Sequence, residues 1–142
     1  MKASWLFRVA AVLLVIFAAG HTIGFLNFKP PTAQGLAVVN AMNNVHFQVG
    51  GANYSYGGFY IGFGLLVTAY LLFSAVLAWQ LGGLVGTSPD TVGALGWSLF
   101  AVQLVGVALS WIYFFAPPAI LSAAVALCLG WGTWLARTSL RP

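Results

Sequence analysis

His21 is the residue whose type and position most suggest chemistry. It lies in the segment Gly20-His21-Thr22-Ile23-Gly24, near the end of a long apolar stretch, where ionisable groups are costly and often functional. Its imidazole could ligate a haem iron or another metal, or donate a hydrogen bond to a quinone. The competing interpretation is a neutral histidine that hydrogen-bonds across helices or reaches interfacial water, which is an ordinary packing device.

The second histidine, His46, lies in the polar segment 27–57 that follows this stretch. If the segment covers the end of a helix bundle, His46 and His21 could converge, since two histidines suffice for a six-coordinate haem b. The competing interpretation is a solvated loop histidine. Zinc and di-iron sites usually need three or more ligands, often carboxylates, and the single acid, Asp90, lies elsewhere. We therefore predict no metal other than a haem iron. The sequence does not decide whether the cofactor is haem b or a quinone.

Gln103 lies near the middle of a third apolar stretch, where its amide needs a partner on another helix or on a ligand. An aromatic-lined pocket with a few polar groups is the usual form of a small-ligand site. The candidate ligand-binding residues are therefore His21, His46, Asn43, Tyr60, Gln103 and Trp111. We predict no catalytic residue, because no nucleophile lies beside a base and the single cysteine, Cys128, can form neither an internal disulfide nor a thiolate cage.

The elements that position these residues follow from a composition that is 61% hydrophobic and only 4% charged. Soluble domains carry about 25% charged residues, so a soluble globular fold is excluded, and so is a disordered chain. Four apolar stretches of about the spanning length of 20 residues predict transmembrane helices at residues 5–26, 58–81, 93–115 and 119–136. The predicted fold class is an all-α integral membrane four-helix bundle, a single transmembrane domain over residues 1–142.

The positive charges predict the orientation in the membrane. Lys2, Arg8, Arg137 and Arg141 flank the first and last spans on one side, and only Lys29 lies on the other. Because cytoplasmic loops carry the excess of Lys and Arg, we expect both termini in the cytoplasm, most simply at a bacterial inner membrane. The net charge of +4 then reflects topology and lipid headgroups, so nucleic acid is not an expected partner.

Two further patterns concern packing. In the outer loop, residues 27–57, apolar side chains recur every three or four residues from Leu36 to Val49, which predicts a short amphipathic helix there. In the first two spans, glycines recur at spacings that let helices approach closely. The helix-packing positions predicted on this ground are Gly20, Gly24, Gly58, Gly62 and Gly64.

Two short motifs also carry a resemblance to a known group of proteins. The sequence GHTIG at Gly20–Gly24 ends the first span, and FYIGFGL at Phe59–Leu65 opens the second after a polar outer loop. This order resembles small uncharacterised bacterial four-span membrane proteins that are DoxX-like in size and layout, and the likeness covers most of the chain. The resemblance implies an association with quinone-linked membrane redox complexes, and it transfers no catalytic residue.

The four spans contain no carboxylate, which argues against ion-coupled transport and proton chemistry. We therefore predict a non-catalytic small integral membrane protein that binds an apolar ligand, lipid or quinone, or serves as an accessory subunit of a larger membrane complex. Its expected partners are the lipid bilayer and other subunits or further copies of itself. Two alternatives stay open: a membrane redox protein in which His21, with or without His46, ligates haem b or contacts a quinone, and an oligomeric channel.

Overall fold

The computed structural model describes residues 2–138, which form five helices and one two-stranded antiparallel hairpin. In chain order these elements are α1 (Lys2–Leu26), α2 (Ala33–Asn44), β1 (His46–Val49), β2 (Ala52–Ser55), α3 (Tyr56–Leu84), α4 (Pro89–Tyr113) and α5 (Ala116–Thr138). Arg141, one of the charges behind the predicted orientation, lies outside the described residues.

Four of these helices, α1, α3, α4 and α5, are long and apolar enough to span a membrane. This confirms the four predicted spans and indicates an integral membrane protein. Each helix begins before its predicted span, because polar and small residues can continue helical hydrogen bonding without adding to the apolar pattern. Pro117 and Pro118 lie in the first turn of α5, where the missing N–H has no partner to lose.

Much of the surface of these helices is apolar. Large side chains on all four of them are more than half exposed, among them Ile16, Phe73, Val102 and Leu127. Soluble monomeric proteins rarely expose contiguous apolar surfaces of this kind to water. The exposed faces therefore suit contact with lipid or with another apolar partner.

The packing divides the chain into two compact units. The first, which we call the four-helix unit, contains residues 2–17 of α1 and residues 71–84 of α3 together with α4 and α5. All four helices contribute to its core, whose largest fully buried side chains are Phe7, Leu14, Leu81, Val92, Val125, Leu129 and Thr133. Because lipid tails are as apolar as leucine, close packing rather than removal from water holds such a core together.

Close helix contacts in the four-helix unit occur at glycines that the spacing argument did not select. A Cβ atom at Gly82 of α3 would lie 3.1 Å from the backbone oxygen of Ser4 in α1. One at Gly132 of α5 would lie 3.3 Å from a leucine Cβ of α1, and one at Gly96 of α4 would overlap the side chain of Thr133 in α5. The absence of a side chain at these positions lets the helices of this unit approach one another.

The second unit, which we call the hairpin unit, is formed by residues 18–70. It contains the end of α1, all of α2 and the hairpin, and the first half of α3. Thr32 caps α2, since its Oγ1 accepts a hydrogen bond from the amide of Gly35 at 3.1 Å and so satisfies a donor that the helix start leaves unpaired. No residue of α2 is fully buried, although Val39 and Met42 on one of its faces are half-buried.

The helix predicted over residues 36–49 ends at Asn44, and the chain then forms strand β1. His46 therefore lies in a strand, and its predicted position on a helix is wrong. The physical reason is the pair Gly50 and Gly51, whose φ angles of 61° and 84° form a two-residue turn. Turns of this hand match the twist of an antiparallel pair, so the hairpin replaces the last turn of the expected helix.

Phe47 anchors the hairpin on the start of α3. Its ring lies 6.1 Å from that of Tyr54, its partner across the strands, and 4.9 Å from that of Tyr56. It also meets the ring of Phe59 edge-on at 5.9 Å, and Phe59 packs edge-on against Phe63 at 4.8 Å. Such pairs contribute about 0.5–1.5 kcal/mol each, so this cluster fixes the hairpin against α3.

Candidate functional site

An apolar groove runs between α1 and α3 within the four-helix unit. Its volume is about 680 Å³, which falls in the range of about 300–1,000 Å³ typical of ligand sites. The lining residues are Ala11, Val12, Val15 and Ile16 of α1 and Leu72, Ala75, Val76, Trp79 and Gln80 of α3. Gln80 is the one polar residue among them, so the groove is apolar along its length and polar at one end.

Arg8 of α1 lies at the polar end of this groove. Its guanidinium carbon is 4.8 Å from the centroid of the Trp79 ring, which is a cation–π contact. Nearby, the hydroxyl of Ser4 donates a hydrogen bond to the carbonyl oxygen of Gly82 and ties α1 to α3. The groove therefore combines apolar walls with a cation at one end.

His21 lies in the hairpin unit and contacts the facing helix. Its Nε2 lies 3.1 Å from the carbonyl oxygen of Gly64 in α3, and because a carbonyl oxygen only accepts, Nε2 is the donor. The His21 ring also lies 5.0 Å from the ring of Phe25, one turn along α1. This geometry favours the interhelical interpretation, since His21 would have to release Gly64 before Nε2 could ligate a haem iron.

Two threonines, neither of them a predicted site residue, extend this polar contact. Thr22 Oγ1 lies 2.8 Å from Thr68 Oγ1 and donates to the carbonyl of Ala18 at 2.7 Å. Either hydroxyl could be the donor in the contact between the two threonines. Thr68 Oγ1 also lies 3.2 Å from the carbonyl oxygen of Gly64. The sequence feature that could have indicated this contact is that Thr22 follows His21 and that Thr68 lies one turn after Gly64.

Of the glycines predicted to pack, Gly64 has the closest neighbour. A Cβ there would lie 2.7 Å from the ring of Phe25, and one at Gly58 would lie 3.2 Å from a serine hydroxyl of the hairpin. At the other three a Cβ would meet no atom of residues 2–138 within 4 Å; these are Gly20, Gly24 and Gly62. Within the described chain, the helices of the hairpin unit thus approach closely at Gly64 and not at those three glycines.

The other predicted residues of the hairpin unit have partners of their own. His46 is exposed, and its Nδ1 lies 2.9 Å from a carbonyl oxygen two residues earlier. Asn43 lies against Gly57, where its side chain fills the space that a Cβ would need. Tyr60 is half exposed on α3. Within residues 2–138 no hydrogen bond joins His21 to His46.

Gln103 and Trp111 both belong to α4, in the four-helix unit. Gln103 is only 5% exposed and lies beside Gly106, where α4 packs against Ser122 of α5. Its side chain forms no hydrogen bond with any residue of the described chain. Trp111 is 75% exposed. Gln103 is thus buried between helices, but without the hydrogen bond to a described residue of another helix that its packing interpretation requires. Trp111 has the position of a lipid-facing side chain.

In the part of the chain that the structure describes, no group of three or more His, Cys, Asp or Glu side chains could hold a metal ion. No protein-family model, curated protein or solved structure matches the chain. The resemblance to DoxX-like proteins therefore has the two short motifs as its only support. The groove with Arg8 at its end is the feature that the sequence did not indicate and that suits a ligand best.

Replacing His21 with alanine is expected to lower the free energy of unfolding by about 1 kcal/mol, because hydrogen bonds across membrane helices contribute about 0.6 kcal/mol on average and at most about 1.7 kcal/mol. The measurement is unfolding by dodecyl sulfate in mixed micelles. His46→Ala is the matched control and should unfold like the parent, since His46 is exposed. A haem absorption band that disappears in His21→Ala would contradict the interhelical interpretation and identify His21 as an iron ligand.

Proposed function

We propose that this protein is a non-catalytic integral membrane protein that binds one apolar chain, of a lipid or a quinone, in the groove between α1 and α3. The observation that carries the proposal is the groove itself, with a volume of about 680 Å³ and one polar lining residue, Gln80. A protein of this kind could act alone or as an accessory subunit that carries its ligand into a larger membrane complex.

The shape of the groove supports the proposal. Lipid gains little hydrophobic energy by moving from the bilayer to a protein surface, so retention depends on packing area and on polar contacts. A groove between two helices surrounds a chain on more sides than a convex helix face does. Val12 and Val76 are more than half exposed on opposite walls, so a chain lying between them would cover both.

The distribution of charge supports the proposed orientation. Lys2, Arg8 and Arg137 belong to the four-helix unit, and they lie near the start of α1 and the end of α5. Basic residues gather on the cytoplasmic side of membrane proteins. We place both termini in the cytoplasm of a bacterial cell on this ground, with the segment 27–57 on the outer side of the inner membrane.

Filling the groove is expected to remove the bound chain. Val76→Trp puts a large ring on an exposed wall of the groove, whereas the matched control Val102→Trp puts it on an equally exposed face of α4 that does not line the groove. The protein is extracted with its native lipid and analysed by native mass spectrometry. The parent and Val102→Trp should retain one lipid or quinone, identified by its released mass, and Val76→Trp should lose it.

Retention of the same ligand by Val76→Trp and the parent would contradict the proposal. So would equal loss from both tryptophan variants, because the ligand would then sit on the general surface of the helices. A co-purifying partner chain that Val76→Trp releases, with no ligand in the parent, would instead make the groove a subunit interface.

A further inference from the structure

We infer that the groove between α1 and α3 selects an anionic phospholipid, whose phosphate is held by Arg8 while one acyl chain lies along the apolar walls. This inference rests on the proposed function and adds the chemical class of the ligand. It concerns the polar end of the groove, which is formed by Arg8, Trp79 and Gln80.

The contact between Arg8 and Trp79 orients the guanidinium at the groove. The guanidinium carbon lies 4.8 Å from the ring centroid of Trp79, and the Trp79 side chain itself lines the groove. A guanidinium stacked on a ring keeps its N–H donors in its own plane, where a phosphate can accept two of them. Arg8 is exposed, so these donors are accessible to a headgroup.

Arg8 has no anionic partner among residues 2–138. It forms no hydrogen bond or ion pair with any of residues 2–138, and the ring of Trp79 is its one polar or aromatic contact there. The single acid of the chain, Asp90, is exposed at the start of α4. A cation at membrane depth is costly unless it is paired or reaches the headgroups. An anion at the end of the groove therefore complements Arg8.

An apolar groove whose cation has no anionic partner among residues 2–138 favours a phospholipid over the other occupants. A second copy of the chain offers one acidic side chain, and a quinone has no charge. An anionic phospholipid supplies both an acyl chain and a phosphate at the depth where Arg and Trp side chains meet headgroups. Basic pockets between helices near the cytoplasmic surface bind anionic headgroups in this way.

The test compares two lipids that differ only in charge. Delipidated full-length protein in detergent is titrated with phosphatidylglycerol or phosphatidylcholine of identical acyl chains, and the bound lipid is counted by native mass spectrometry. One Lys or Arg near the surface favours an anionic lipid by about fivefold, so the parent should prefer phosphatidylglycerol by about that factor. Arg8→Gln should bind both lipids equally.

The matched control is Arg137→Gln, which removes the same charge from a residue that packs on Gly93 of α4 and does not line the groove. It should keep the preference of the parent. Trp79→Leu offers a second route should Arg8→Gln fail to fold, and it should also reduce the preference because the guanidinium loses its support. A preference that survives in Arg8→Gln, or that falls equally in Arg137→Gln, overturns the inference.

The same titration separates the two proposals. If the parent binds both lipids equally and Val76→Trp binds neither, the groove holds an acyl chain without selecting its headgroup, and only the present inference fails. If the parent binds neither lipid but retains a quinone from its native membrane, only the present inference fails. If it binds neither lipid and retains no quinone, both proposals fail. If the parent is a dimer that Val76→Trp dissociates without any bound lipid, the groove is an interface between copies and both proposals are overturned.

Discussion

Gly82→Leu is expected to destabilise the four-helix unit by about 3 kcal/mol, at the upper end of the usual cost of overpacking. A Cβ at this position would lie 3.1 Å from the backbone oxygen of Ser4 and 3.3 Å from Cβ of Phe7. Neither atom can rotate away, since one belongs to the backbone and the other is the first atom of a fully buried side chain. Leucine would therefore force α1 and α3 apart.

Separating these two helices has further consequences. The hydroxyl of Ser4 donates to the carbonyl oxygen of Gly82, so the hydrogen bond is lost together with the close contact. The Phe7 ring, which is completely buried, would lose neighbours on α3, and the groove between α1 and α3 would change its width. Gly82→Leu should thus impair lipid retention as well as stability.

The adjacent glycine provides the control for this prediction. A Cβ at Gly83 would meet no atom of the described residues within 4 Å, so Gly83→Leu should unfold like the parent. Both variants have the same composition and the same helix propensity. Unfolding by dodecyl sulfate, followed by circular dichroism, measures the difference. Equal stability of the two variants would show that α1 and α3 do not approach at Gly82.

Gly96→Ala is expected to cost about 2 kcal/mol, a large effect for one methyl group. The added Cβ would overlap Thr133 of α5, whose side chain is completely buried. Thr133 cannot simply rotate, because its hydroxyl donates a hydrogen bond to the carbonyl oxygen of Leu129 at 2.7 Å. The helices α4 and α5 would have to separate, or this hydrogen bond would have to break.

Gly106→Ala is the matched control on the same helix. A Cβ at Gly106 would lie 3.4 Å from the hydroxyl of Ser122, which is near ordinary van der Waals contact, so the alanine should be tolerated. Removing the obstructing side chain supplies a second check. In a Thr133→Ala background Gly96→Ala should cost much less, and the non-additivity measures the contact directly. Additive effects would place the cost of Gly96→Ala somewhere other than Thr133.

The polar residues of the spans show how far sequence alone predicts a site. His21 was expected either to hydrogen-bond across helices or to bind a cofactor, and its contact with Gly64 belongs to the first alternative. Its partner could not be predicted, because every residue has a backbone carbonyl and the sequence does not show which one of a neighbouring helix lies within reach. The contact between Thr22 and Thr68 was not predicted for a related reason, since threonines in apolar helices usually hydrogen-bond to their own backbone.

At the hairpin, a local turn prevails in the structure over the longer helical pattern that the sequence shows. Apolar residues over 36–49 match a helical spacing, and α2 does occupy the first part of that stretch. The turn at Gly50 and Gly51 adopts positive φ angles, which glycine reaches without strain. It pairs two short alternating segments, and this pairing takes His46 out of the helix.

The sequence by itself determined four helices that are long and apolar enough to span a membrane, because length and composition meet this requirement without reference to any neighbouring helix. Only the tertiary structure decided which faces meet. The helices are apolar all round, so no polar stripe distinguishes a packed face from a lipid-facing one. Glycine spacing pointed to Gly20, Gly62 and Gly64, whereas close contacts lie at Gly64, Gly82 and Gly96. The groove beside Arg8 likewise depends on which faces of α1 and α3 meet, and the sequence alone does not determine this.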